Sequence, residues 1–215
     1  MRTHYRHSLD HLADQLQVMC LSDRAAIATA TDALLRADLE LAEHAIDRCR
    51  QIDTTREDCE RAAVRLLALQ APVAGELRQV VTALHVVGDL ARMAALTEHI
   101  ANIARRRHPA HAVPDTLAPL VSRMGEAAVA IATNAADVLG SRDPHDAARL
   151  DGQDDTMDRL HHNLLTAVLA DDFTGPTTTV VDLTLLGRYY ERFADHAVLV
   201  GRRTFFIATG EYPDE

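Results

Sequence analysis

Apolar residues recur every three to four positions along most of this chain, which is the period of an amphipathic helix. After Asp38, for example, the apolar set Leu41, Ala45, Ile46 and Cys49 falls on one side of a helix. Capping residues, prolines and glycines punctuate this pattern: Ser8 or Asp10, Asp38, Pro72, Asp143-Pro144 and Gly210. Six long helices are therefore predicted, at about residues 8–37, 38–69, 72–107, 115–140, 144–170 and 178–209.

The segment HPAHAVPDT, residues 108–116, contains two prolines and no apolar period, so it is the predicted internal boundary. Three helices lie on each side of it, and three helices of this length make a bundle. We therefore predict an all-α fold of two tandem three-helix bundles with an internal pseudo-repeat. The first bundle would span residues 1–107, the Pro-rich joint 108–116 and the second bundle 117–215.

A shift of 100 residues aligns the third predicted helix with the sixth, placing Arg92 on Arg192 and Ala94 on Ala194. Few identities survive in this alignment. The shared order of helices therefore carries more weight than the pairwise match.

Composition supports a helical protein. Apolar residues make up 47% of the chain and aromatic residues 4%, with no Trp, which favours helices packed through small aliphatic side chains. A net charge of −10 argues against nucleic-acid binding. Three cysteines without paired spacing, an N-terminus without a signal sequence and no long uncharged apolar run predict a cytoplasmic protein without membrane insertion.

Two pairs of acidic residues carry the candidate chemistry. Glu191 and Asp195 lie four residues apart on the sixth helix, and Asp154 and Asp158 have the same spacing on the fifth. If the two helices pack together, four carboxylates converge and repel one another unless a cation lies among them. Possible additional ligands are Asp155 and His161.

The same acids have a second interpretation. Arg188 lies three residues before Glu191, and Arg192 three before Asp195, so each acid can simply pair with an arginine on a solvated face. Spacing alone leaves both interpretations open.

At this point the chain resembles a known family, the PhoU proteins, which regulate the bacterial phosphate-specific transporter and its two-component signalling system. The resemblance covers nearly the whole chain and rests on three segments. The opening MRTHY…LDHLADQL is one; LLALQAPVAGELRQV is similar to the family's Gln-x-Pro-x-Ala-x-Asp-Leu-Arg signature. ERFADHAVLVGRR looks like its Glu-Arg-x-x-Asp helix, and this segment resembles the actinobacterial type of the family.

The resemblance implies two three-helix bundles, each with an acid-x-x-x-Asp motif on its third helix that holds iron or another metal in some members. The second repeat matches completely through Glu191, Asp195, Asp154 and Asp158. In the first repeat, the matching positions hold Ala91, Ala95 and Cys49 instead of Glu, Asp and Asp. We therefore expect a divalent or trivalent metal ion (iron, zinc, manganese or magnesium) in the second bundle only.

The resemblance also implies a cytoplasmic negative regulator of phosphate uptake and phosphate signalling. Its expected partners are the transporter's ATP-binding subunit and the phosphate-sensing membrane histidine kinase, and we expect a homodimer. Candidates for partner binding are Arg78, Arg188 and Arg192. Since the sequence contains no nucleophile–base pair and no Walker motif, we do not expect an enzyme.

Two alternatives remain at this stage. The first is a di-iron oxidase built in a helical bundle, a class that needs Glu-x-x-His ligand pairs. Only Asp158-x-x-His161 has comparable spacing, and Glu98 and His99 are adjacent and so lie on different faces. The second is a purely structural helical module whose acids only maintain solubility.

Overall fold

The computed structural model of the protein describes residues 2–70, 72–141, 143 and 150–211. Within these residues the chain forms helices and no strands. The helices are α1 (Arg2–Arg36), α2 (Leu39–Gln70), α3 (Ala74–Arg107), α4 (Ala118–Ser141), α5 (Asp151–Val168) and α6 (Thr177–Thr209). The all-α prediction is therefore confirmed.

Local capping chemistry sets two of the helix ends as predicted. The backbone N–H of Leu41 donates a hydrogen bond of 3.0 Å to Asp38 Oδ1, which caps α2. Gly210 follows α6 in the left-handed conformation, with φ of 86°, and its N–H donates to the carbonyl of Phe206.

Other predicted ends differ from the structure. The predicted cap at Ser8 or Asp10 is wrong, because α1 extends back to Arg2 and Tyr5 packs in the core, with 3% of its surface exposed. The fourth helix begins at Ala118, since the N–H groups of Leu117 and Ala118 first form a turn on the carbonyl of Pro114. The predicted start of the fifth helix at Pro144 lies outside the described residues.

The helices form two three-helix bundles that share one core. Helices α1, α2 and α3 pack on one another, as do α4, α5 and α6. The bundles are joined by contacts of α1 with α4 and of α3 with α6, and the buried apolar side chains of all six helices form one continuous cluster. Two tandem bundles are thus confirmed, while the residue limits predicted for each bundle stay a prediction.

Burial repeats along the chain with the shift of 100 residues. Eleven of the twelve positions buried in α6 have a buried counterpart in α3. The pairs are 82/182, 83/183, 86/186, 87/187, 90/190, 93/193, 94/194, 97/197, 100/200, 101/201 and 104/204. The internal pseudo-repeat is therefore visible in packing even where few residue identities survive.

Helix α3 contains a long apolar stretch with few charged residues. Judged by length and composition alone, α3 is long and apolar enough to cross a membrane. Buried positions make up 56% of its apolar stretch, as in the central helix of a globular domain, and α3 packs against α1, α2 and α6.

Candidate functional site

The acidic pairs of α5 and α6 come together in the second bundle. Burial raises the pKa of Asp154 from 3.8 to about 6, and the negative charges of Asp195, Asp158 and Glu191 add to this shift. Arg202 opposes it. Asp154, Asp158, Glu191 and Asp195 are thus close enough to interact electrostatically, and we call them the acidic cluster.

Asp154 is the member of the acidic cluster with the least favourable surroundings. Its Oδ1 atom is buried and accepts no hydrogen bond from the described residues. A carboxylate in this position is costly unless it binds a proton or a cation. The same burial raises the pKa of Asp154, because it disfavours the charged form.

The two acids of α6 are paired with arginines of the same helix. Arg188 Nη1 lies 2.5 Å from both carboxylate oxygens of Glu191, and Arg192 Nη1 lies 3.2 Å from Asp195 Oδ2. Among the described residues, no group of three or more His, Cys, Asp or Glu side chains is arranged to hold a metal ion. In this conformation, Glu191 and Asp195 therefore form ion pairs with arginines, as the second interpretation of their spacing expects.

The two additional candidate ligands differ in position. Asp155 is exposed and is not among the charges that act on Asp154. His161 packs against α6 at Gly187, where an added β-carbon would lie 2.8 Å from His161 Cδ2. Because Gly187 precedes Glu191 by one helical turn, His161 lies beside the acidic cluster.

The corresponding region of the first bundle contains a cavity of about 210 Å³. Its lining includes Cys49, Asp53, Ala91, Ala95 and Glu98. Burial, together with the nearby charges of Asp23 and Glu98, raises the pKa of the Cys49 thiol to about 12, so Cys49 is protonated at neutral pH. Alanine side chains therefore border open space here, where the second bundle has carboxylates.

The contact between α3 and α6 contains a polar group that sequence reasoning did not identify. His196 Nδ1 lies 3.1 Å from Asp89 Oδ1, and Arg203 Nε lies 2.6 Å from Asp89 Oδ2 without hydrogen-bond alignment. Asp89 is 6% exposed. A polar residue inside the apolar stripe of α3 was the available signal, because a buried acid needs a partner on a neighbouring helix.

A second ion-pair group joins the same two helices. Asp182 near the start of α6 is 2% exposed, and it accepts hydrogen bonds from Arg106 Nη2 at 2.8 Å and Arg107 Nε at 2.5 Å. The arginines at the end of α3 thus bind the beginning of α6, which shows that the two helices run antiparallel.

The three arginines considered for partner binding all have contacts within the chain. Arg188 and Arg192 pair with acids as described, and Arg78 Cζ lies 5.8 Å from the centre of the Phe206 ring, in cation–π geometry. Their role in partner binding stays a prediction.

Comparisons with known proteins give consistent results. The sequence matches the PhoU domain twice, at residues 16–104 and 121–204. It is 47% identical to phosphate-specific transport system accessory protein PhoU homolog 2 of Mycobacterium tuberculosis, over 99% of this chain and 100% of that protein. It is 45% identical to PhoU homolog 1 of Mycobacterium leprae, over 100% of this chain and 97% of that protein.

The fold is also similar to a solved structure. The crystal structure of the phosphate transport system regulatory protein PhoU from Streptococcus pneumoniae superposes with a TM-score of 0.87 and 21% sequence identity. The similarity covers 98% of this chain and 100% of that one.

Proposed function

The chain belongs to the PhoU family, and we propose that it is a negative regulator of phosphate uptake and phosphate signalling that acts by protein contact. The observation that carries this proposal is the full-length match to relatives named as accessory proteins of a phosphate-specific transport system. Both bundles match the family domain, so the resemblance extends to the complete two-bundle architecture.

We propose two partners, the ATP-binding subunit of the phosphate transporter and the phosphate-sensing membrane histidine kinase. We place this chain in the cytoplasm, where both partners would present surfaces to it. In this proposal the chain acts without catalysis. A net charge of −10 suits docking on basic partner surfaces, because complementary charge speeds encounter and sets orientation. A homodimer is the proposed assembly.

We further propose that the acidic cluster holds a divalent or trivalent metal ion. Carboxylate oxygens are the preferred donors of hard cations, and Asp154 Oδ1 is a buried oxygen without a described partner. The ligands would be Asp154, Asp158, Glu191 and Asp195, with His161 beside them. The bound ion would neutralise their mutual repulsion, and Glu191 and Asp195 would exchange their arginine partners for it.

The partner proposal is tested by co-purification. The tagged full-length chain is mixed with the ATP-binding subunit or with the cytoplasmic part of the kinase from the same genome, with added metal and with chelator. We expect a stable complex with at least one partner that weakens as ionic strength rises. No association with either partner under both conditions would contradict the proposal.

The metal proposal is tested by elemental analysis of the purified chain. The double variant Glu191→Ala/Asp195→Ala should lose bound metal. A matched control is Asp53→Ala/Glu57→Ala, which removes two exposed acids with the same spacing from the first bundle and should retain it. Equal metal content in the wild type and the Glu191→Ala/Asp195→Ala variant would refute the site.

A further inference from the structure

A basic cleft lies where α3 and α6 meet, on the seam between the two bundles. Its volume is about 350 Å³. It is lined by Arg92, Ala95, Leu96 and His99 of α3 and by Arg192 and His196 of α6. Four of these six residues carry a guanidinium or an imidazole, and no carboxylate is among them. This composition contrasts with a chain whose net charge is −10.

Arg92 has no partner within the described part of the chain. Under the shift of 100 residues it corresponds to Arg192, which pairs with Asp195 three positions later. The residue three positions after Arg92 is Ala95, so the equivalent ion pair cannot form. Arg92 is exposed at the cleft, and neither a hydrogen bond nor an ion pair to it occurs among the described residues. The change from acid to alanine therefore leaves a guanidinium group available for an external anion.

The two histidines are held in place by neighbouring side chains. The His99 ring stacks on Tyr189, with centroids 5.0 Å apart and planes inclined by 26°. His196 uses Nδ1 in its contact with Asp89, and no hydrogen bond to its Nε2 atom occurs among the described residues. Such an imidazole nitrogen accepts a hydrogen bond when the ring is neutral and donates one when the ring is protonated.

We propose that this cleft binds phosphate, either as the free anion or as a phosphoryl group of a larger molecule. A guanidinium group binds phosphate oxygens through two parallel hydrogen bonds, and Arg92 is the cleft arginine available to donate them, since Arg192 pairs with Asp195. Phosphate that retains a hydroxyl can also donate to an imidazole nitrogen, whereas sulfate at neutral pH cannot. The site rests on the cleft itself and stands whether or not the chain regulates phosphate signalling.

Calorimetric titration of the full-length chain tests the proposal at constant ionic strength. Inorganic phosphate, phosphoserine, sulfate and chloride are the probes, and circular dichroism verifies that each variant is folded. We expect saturable binding of phosphate or phosphoserine and weaker binding of sulfate. Saturation by inorganic phosphate identifies the free anion as ligand, and saturation by phosphoserine alone identifies a phosphoryl group. Arg92→Ala should weaken binding about tenfold or more, because a hydrogen bond to a charged group is lost.

Two matched pairs of variants make the test specific. Arg123→Ala removes an exposed arginine of α4 outside the cleft and should leave the affinity unchanged. Ala95→Asp should weaken binding as Arg92→Ala does, because it recreates the Arg192–Asp195 arrangement, whereas the neutral and similarly sized Ala95→Asn should not.

Four results would overturn the proposal. One is the absence of saturable binding of both phosphate and phosphoserine, and another is equal affinity for sulfate. The third is an equal loss of affinity in Arg92→Ala and Arg123→Ala, and the fourth is an equal loss in Ala95→Asp and Ala95→Asn.

Discussion

Replacing Asp154 with asparagine should stabilise the protein at neutral pH and have little effect in acid. The pKa of Asp154 is about 6 in the folded chain against an ordinary value of 3.8, so the folded state binds this proton more tightly than the unfolded state. Below the ordinary value, both states are protonated. Between the two values, only the folded state keeps the proton, so the free energy of unfolding falls as the pH rises. Above the folded value, both are ionised and the loss is complete.

The magnitude follows from the size of the shift. A rise from 3.8 to about 6, at ~1.36 kcal/mol for each pH unit, gives an upper bound of ~3 kcal/mol. Since Asp154 is only partly buried, solvent screening reduces this to about 1–1.5 kcal/mol. Asparagine has nearly the same shape and no charge, so Asp154→Asn should recover that amount above the folded pKa.

The assay is urea denaturation followed by circular dichroism, with chelator present so that no cation occupies the acidic cluster. Wild type and Asp154→Asn are compared at about pH 3 and about pH 7.5, on either side of the transition. Asp155→Asn is the matched control, because Asp155 is the exposed neighbour on the same helix. An equal gain at both pH values, or the same gain from Asp155→Asn, would refute the reasoning.

Three further predictions concern buried contacts. Asp23 is fully buried, and neither of its carboxylate oxygens is hydrogen-bonded by the described residues. Asp23→Ala should therefore raise the urea midpoint at neutral pH by an amount equivalent to about 1–2 kcal/mol in the free energy of unfolding. A lower midpoint would contradict this. In the same assay Asp182→Ala should cost about 2 kcal/mol, whereas Asp47→Ala, which breaks an exposed pair, should cost less than ~0.5 kcal/mol. Equal costs would show that the Asp182 group adds nothing to the joint between the bundles. Gly125→Ala should lower the midpoint of thermal unfolding, because the new β-carbon would lie 2.8 Å from Thr31 Oγ1. Alanine normally favours a helix over glycine, so a higher midpoint would refute this steric conflict.

Features that depend on neighbouring residues in the chain could be predicted from the sequence. The cap at Asp38 and the left-handed glycine at position 210 are examples, since both satisfy backbone groups within one helical turn. The convergence of the acid pairs of α5 and α6 was also predictable, because spacing places each pair on one helix face. Which partner each acid takes was not, since arginine and metal pairing use the same spacing.

Contacts between the bundles could not be predicted in the same way. The contacts of Asp89 with His196 and of Asp182 with Arg107 depend on the register in which α3 and α6 run past each other. No local pattern encodes that register. The sequence does indicate that Arg92 lacks the ion pair of Arg192, because aligning the two arginines places Ala95 at the position of Asp195. The cleft that gives this difference a meaning became visible only in the folded chain.

Complementation tests the proposed regulatory role most directly. In a strain lacking the gene for this chain and any other gene of the same family, a phosphate-starvation reporter is measured in phosphate-rich medium. We expect the reporter to be active in this strain and to be repressed when this chain is restored. A reporter that stays active while immunoblotting shows the chain at its normal level would contradict the account.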